Sequence, residues 1–170
     1  NGALYLSLVF GWFYLWTVAP QWQVPEQRLD GWPMLVSGVL LSAGCIWLHR
    51  LIKRLRQGSL NTLLVNLAGL ALLASLQTAL LVWQLLGTPL EPTQTAHDAV
   101  IFVVLAYSII HCGLAAVLTA LQAWRVGYGY VGVKAPYEPI VVEQLWYYNL
   151  GVLWISYAAI VLFPGTWGGV

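Results

Sequence analysis

The sequence predicts an all-α fold: a polytopic membrane helical bundle with five transmembrane helices. Composition is the first reason. Of 170 residues, 60% are hydrophobic and 8% are charged, where a soluble domain carries roughly 25% charged residues. So few charges cannot cover the surface of such a chain in water. The second reason is run length: five apolar segments approach the roughly 20 residues that a helix needs to cross a hydrocarbon core of about 30 Å. The third is periodicity, because none of the five alternates polar and apolar residues as the strands of a membrane barrel do. The same composition is wrong for a disordered chain, which is polar and poor in aromatics. A net charge of +1 speaks against nucleic acid as a partner, which calls for a basic face.

Taken in order, the spans are expected at about 3–19, 32–48, 60–86, 98–124 and 141–163, in one transmembrane domain covering 1–170. Pro20 and the polar stretch from Gln21 to Asp30 end the first. The second stops at His49-Arg50, and the third is long enough to tilt before Gly87-Thr88-Pro89. Thr95-x-x-Asp98 has the spacing of a helix cap and opens the fourth. A Gly/Tyr/Pro-rich loop precedes the fifth, which Pro164-Gly165 breaks. No internal repeat is evident. The first run has no basic leader or small-residue cleavage site, so it does not read as a signal peptide. Asn1 opens the chain and the single methionine is Met34, as expected of a processed chain or a piece of a longer polypeptide.

Basic residues set the expected orientation. Arg50, Lys53, Arg54 and Arg56 follow span two, Arg125 and Lys134 follow span four, and only Arg28 falls on the other side. This places the N-terminus in the cytoplasm and the C-terminus outside. Aromatic residues near the span ends, among them Trp22, Trp32, Trp124, Tyr128, Tyr130, Trp146, Tyr147 and Tyr148, read as an interfacial belt.

Polar residues inside the spans are the candidates for function, since each is costly in hydrocarbon. Ser59, Asn66, Gln77 and Gln84 fall on one face of span three. They read either as a polar path or as interhelical glue; amides without a carboxylate carry protons poorly, which favours glue. Gly38, Ser42, Cys45 and His49 form a stripe on span two, with Ser37 and Gly44 beside it, and the small residues predict a packing face. Tyr107 and His111 lie one turn apart in mid-membrane, where an imidazole needs a partner on another helix or subunit. Glu143 enters span five near the inner surface, with Tyr147 and Trp154 on its face. It reads as an intramembrane carboxylate in proton uptake or, preferably, as an interfacial group bonded to the loop before it. His49, Arg50, Lys53, Arg54 and Arg56 are expected at lipid headgroups. Cys45 and Cys112 are widely separated and lack a metal or redox spacing. No nucleotide loop, zinc motif or nucleophile–base pair is recognisable, so the chain shows no catalytic centre of its own.

With the spans laid out, the chain resembles the last five helices of cytochrome c oxidase subunit III. The residues that carry the likeness are the aromatic run Leu4-Tyr5-Leu6-Ser7-Leu8-Val9-Phe10-Gly11-Trp12-Phe13-Tyr14-Leu15-Trp16, the segment from Ser37-Gly38 to Trp47-Leu48-His49, Ser75-Leu76-Gln77, Ala106-Tyr107-Ser108-Ile109-Ile110-His111, and Trp146-Tyr147-Tyr148-Asn149 on to Trp154. Leu15-Trp16-Thr17-Val18-Ala19-Pro20 is similar to oxidases in which subunit III is fused to the end of subunit I. Asn1-Gly2 stand where the family carries a helix-three carboxylate, and Asn149 where it closes on a histidine.

The resemblance implies an accessory subunit of a proton-pumping terminal oxidase in the aerobic respiratory chain. Such a subunit is non-redox: it stabilises the catalytic subunit I and supports proton uptake or oxygen access. It implies subunits I and II and membrane lipid as partners, with haem and copper in the partner subunits, none bound by this chain, and phospholipid as its own ligand. A bacterial plasma membrane is the expected location, ahead of the mitochondrial inner membrane. The inter-helix or inter-subunit polar contacts are then expected at Asn66, Gln77, Gln84, Tyr107, His111 and Glu143. A small transporter built around Asn66, Gln77 and Gln84, a membrane cytochrome ligated through His111, and another respiratory-complex membrane subunit are the alternatives.

Overall fold

A computed structural model describes residues 2–18, 30–57, 62–130 and 137–162, with the side chains of 137 and 138 excepted. Arg28, Ser59, Lys134 and the proposed breaks at Pro20 and Pro164 lie outside the described residues. Five α-helices account for nearly all of the described chain: α1 Gly2–Val18, α2 Trp32–Arg56, α3 Leu63–Gly87, α4 Ala96–Gly127 and α5 Tyr137–Tyr157. A π-helical turn, Ala158–Leu162, continues α5. No strand occurs among the described residues.

The helix ends follow from local chemistry. Pro33 sits in the first turn of α2, where its missing N–H breaks no intrahelical bond. At the other end α2 runs past residue 48 to Arg56, with Lys53, Arg54 and Arg56 in its last turn. These are good helix formers, and their charge complements the negative end of the helix dipole. Thr95 caps α4 as the spacing predicts, its side chain accepting from the Asp98 N–H at 3.1 Å.

Four segments are long and apolar enough to cross a membrane: Trp32–Arg56, Leu63–Gly87, Ala96–Gly127 and Pro139–Leu162. The helix Gly2–Val18 is equally apolar but shorter. Outward faces are as apolar as the interior: Phe10, Val65 and Leu72 are 71%, 72% and 71% exposed. Such an exterior suits lipid tails and not water.

From α2 onward, neighbours in sequence are neighbours in space. α3 and α4, joined by the short segment 88–95, share the largest interface, while α2 packs on α3 and α5, and α5 also on α4. α1 lies against α4. Leucines at 41, 48, 67, 70, 81, 105 and 153 fill the centre with Met34 and Trp146. Most hydroxyls inside the bundle bond locally, the buried Ser37 being an exception. Ser42, Ser75, Thr78, Ser108 and Thr119 each donate to the carbonyl four residues back.

The small-residue stripe of α2 is the seat of α5. The Trp154 ring lies against Gly38 and that of Trp146 against Gly44, where an added Cβ would overlap the indole. Each indole N–H finds a hydroxyl: Trp154 donates to Ser42 Oγ at 3.2 Å and Trp146 to Thr119 Oγ1 at 3.0 Å. Trp146 is therefore not a residue of the interfacial belt, the place its position near a span end suggests. It is fully buried at the junction of α2, α4 and α5. Trp32, Trp124, Tyr128 and Tyr130 are exposed.

Candidate functional site

Interior polar groups are spent mainly on joining helices. On α3, Asn66 accepts from the Trp47 indole on α2 at 2.9 Å and donates back to the Thr62 carbonyl at 2.7 Å. Gln77, buried, reaches Cys112 Sγ on α4 at 3.7 Å. Gln84, also buried, donates to the Asp30 carbonyl at the head of α2 at 2.9 Å. The three share one face but take three separate partners, and no common site forms between them.

A second group joins α1, α4 and α5 through aromatic side chains. His111 Nδ1 donates to the Tyr107 carbonyl at 2.9 Å, and its ring stacks on that of Tyr107 with centroids 4.0 Å apart. The Tyr107 hydroxyl is hydrogen-bonded to that of Tyr148. On its other side Tyr107 stacks on Tyr5 of α1, centroids 5.6 Å apart. Tyr5 donates to the Val152 carbonyl at 2.8 Å and its oxygen is 2.9 Å from Ser156 Oγ. Asn149 donates to the His111 carbonyl at 3.0 Å. His111 thus has its partners on α4 and α5. Tyr148, placed by its position in the interfacial belt, faces Tyr107 instead.

The charged end of α2 meets the start of α5. His49 Nδ1 donates to Glu143 Oε1 at 2.8 Å, with the imidazole 61% exposed and the carboxylate 12%. Glu143 therefore bonds to a side chain of α2, where the sequence favoured the loop before it. A cleft of ≈ 390 Å³ opens here, lined by His49, Ile52, Lys53, Arg56, Gln57 and Glu143. The helical period divides the basic run: positions 49, 53 and 56 face the cleft, while Arg50 and Arg54 are exposed and do not line it.

One polar pair escaped the sequence reading. His97 Nδ1 donates to Asp98 Oδ1 at 3.0 Å, and Asp98 Oδ2 accepts the Glu91 N–H at 3.2 Å. The Trp12 ring of α1 lies 5.6 Å from the imidazole, centroid to centroid. The Thr95/Asp98 cap pointed to this corner, but nothing in the spacing showed that both side chains are buried.

Among the described residues no three of His, Cys, Asp and Glu gather in one place. His97 and His111 lie fourteen residues apart on α4, about 21 Å along the axis. His49 is on another helix, at its charged end. No protein-family model and no curated protein matches the chain.

Proposed function

We propose that the chain is an accessory, non-redox subunit of a proton-pumping haem–copper oxidase, equivalent to the last five helices of subunit III. In this reading all five helices cross the bilayer, α1 by lying close to the membrane normal or where the bilayer is thin. By the distribution of basic residues the N-terminus is cytoplasmic, in a bacterial plasma membrane. Subunits I and II carry the haem and copper, oxidise cytochrome c or quinol and reduce oxygen. This chain buttresses subunit I and supports proton uptake or oxygen access.

The observation that carries the proposal is the use made of polar side chains inside the bundle. Asn66, Gln77, Gln84, Tyr107, His111 and Trp146 all bond to other helices, to their own backbone or, for Gln84, to the residue leading into α2. That economy suits a scaffold. A transporter needs a site near the midplane where polar groups converge on a substrate, and the amides of α3 diverge. The order and texture of the residues that resemble subunit III supply the family.

The test is purification in mild detergent through a tag on this chain, with a reduced-minus-oxidised visible spectrum and mass analysis of whatever co-elutes. Haem bands that arrive with a polytopic partner and leave when it is stripped are the expected result. Haem retained by the isolated chain would make it a cytochrome instead, and recovery with no partner and no haem would favour transport.

A further inference from the structure

We propose that the cleft between α2 and α5 holds the phosphodiester of an anionic membrane phospholipid, gripped by Lys53 and Arg56. The inference deepens the reading of the basic run at lipid headgroups by assigning one site and two residues, and it rests on the chain's lying in a membrane and not on its being an oxidase subunit.

Charge is the first argument. Lys53 and Arg56 line the same cleft, both are exposed, and neither makes an ion pair among the described residues. Glu143, the one carboxylate among the described lining residues, already accepts from His49. Among the described lining residues the cations Lys53 and Arg56 outnumber the carboxylate Glu143, a balance that favours an anion such as a phosphodiester. The guanidinium of Arg56 also offers the forked donor geometry that suits two phosphate oxygens.

Depth is the second. α2 has 25 residues and so is roughly 37 Å long at about 1.5 Å per residue. A hydrocarbon core of about 30 Å leaves its last turns outside. Those turns carry Lys53, Arg56 and Gln57. Glu143 lies one turn inside the start of the spanning segment Pro139–Leu162. The cleft thus opens where headgroups lie, and Ile52 adds an apolar surface to its lining. A soluble anion would have no use for that surface. Arg50 and Arg54 carry the same charge at the same depth but stand outside the cleft, so they separate a built site from general attraction to an anionic surface.

The experiment is native mass spectrometry of the delipidated full chain, titrated with phosphatidylglycerol, with phosphatidylcholine as the neutral counterpart and inorganic phosphate as competitor. One phosphatidylglycerol is expected to bind in preference to phosphatidylcholine. K53Q/R56Q should weaken it roughly 30-fold, the effect of removing two cations near the membrane surface, while R50Q/R54Q should change it less than about 3-fold. Gln57→Glu, on the exposed rim, should weaken binding in the same direction, and it keeps the question open to test where the double variant does not fold. Equal losses in the two double variants, equal binding of the two lipids, or displacement by millimolar phosphate would each overturn the proposal.

Discussion

The ring of Trp146 on α5 occupies the space that Gly44 on α2 leaves by having no side chain. The same indole donates to Thr119 on α4, so three helices are tied at one fully buried residue. This contact sets the distance between α2 and α5.

Gly44→Ala should therefore destabilise the bundle by about 1–3 kcal/mol, the usual cost of overpacking a filled core. Gly151→Ala is the matched comparison, because nothing lies within 4 Å of a Cβ there. It should stabilise by roughly 0.5–1 kcal/mol through the ordinary helix preference for alanine. The buried thiols of Cys45 and Cys112 report both changes, since a thiol-reactive dye labels them only when the bundle opens on heating. A lower midpoint for Gly44→Ala and an equal or higher one for Gly151→Ala is the expected pair of results.

Tyr5→Phe should loosen α1 while leaving the other four helices packed. The hydroxyl bonds to the Val152 carbonyl and lies beside Ser156 Oγ, and it is a main polar link between α1 and α5. Its removal should cost about 1–2 kcal/mol. Engineered cysteines on α1 and α5 should then cross-link more slowly in the variant, with the thermal midpoint of the remainder little changed.

His49 and Glu143 should show weak coupling. With the imidazole 61% exposed, a double-mutant cycle with His49→Gln and Glu143→Gln should give less than about 1 kcal/mol, as other exposed pairs do. A coupling of several kcal/mol would mean that the pair is shielded by something that covers this end of the bundle.

His111→Leu should leave the haem content of the purified complex unchanged, because the imidazole is engaged with Tyr107 and the α4 backbone in a stacked cluster. The reduced-minus-oxidised difference spectrum measures this directly, and loss of a haem band would sink the scaffold proposal.

What the sequence revealed and what it hid divide along one physical line. Hydropathy located each helix, and the small-residue stripe at Gly38, Ser42 and Cys45 marked a packing face, because these are properties of one helix at a time. Extents were underestimated where helix outlasts hydrocarbon: α2 continues to Arg56 because charged side chains favour a helix as well as apolar ones do. Pairings between helices were not legible. His49 and Glu143 are 94 positions apart, and no periodicity within either span says that they meet. Trp146 shows the same limit. Its place near a span end suggested the membrane interface, but the notch at Gly44 draws it inward. The division of the basic run, with Lys53 and Arg56 in the cleft and Arg50 and Arg54 outside it, follows from the helical period once the position of α5 is known.

The attachment of α1 has a consequence for how the bundle is made. Its anchor, Tyr5, bonds to a carbonyl 147 positions later in the chain, and Trp12 rests on His97 of α4. Ribosomes add about 5–20 residues per second, so roughly 7–30 s separate the synthesis of Tyr5 from that of its acceptor. Through that interval the Tyr5 hydroxyl lacks its acceptor on α5, while α4, the other neighbour of α1, is made earlier. α1 thus completes its docking only once α5 has been made, and a translocon-associated factor or a neighbouring subunit that shelters an aromatic helix would act during that interval.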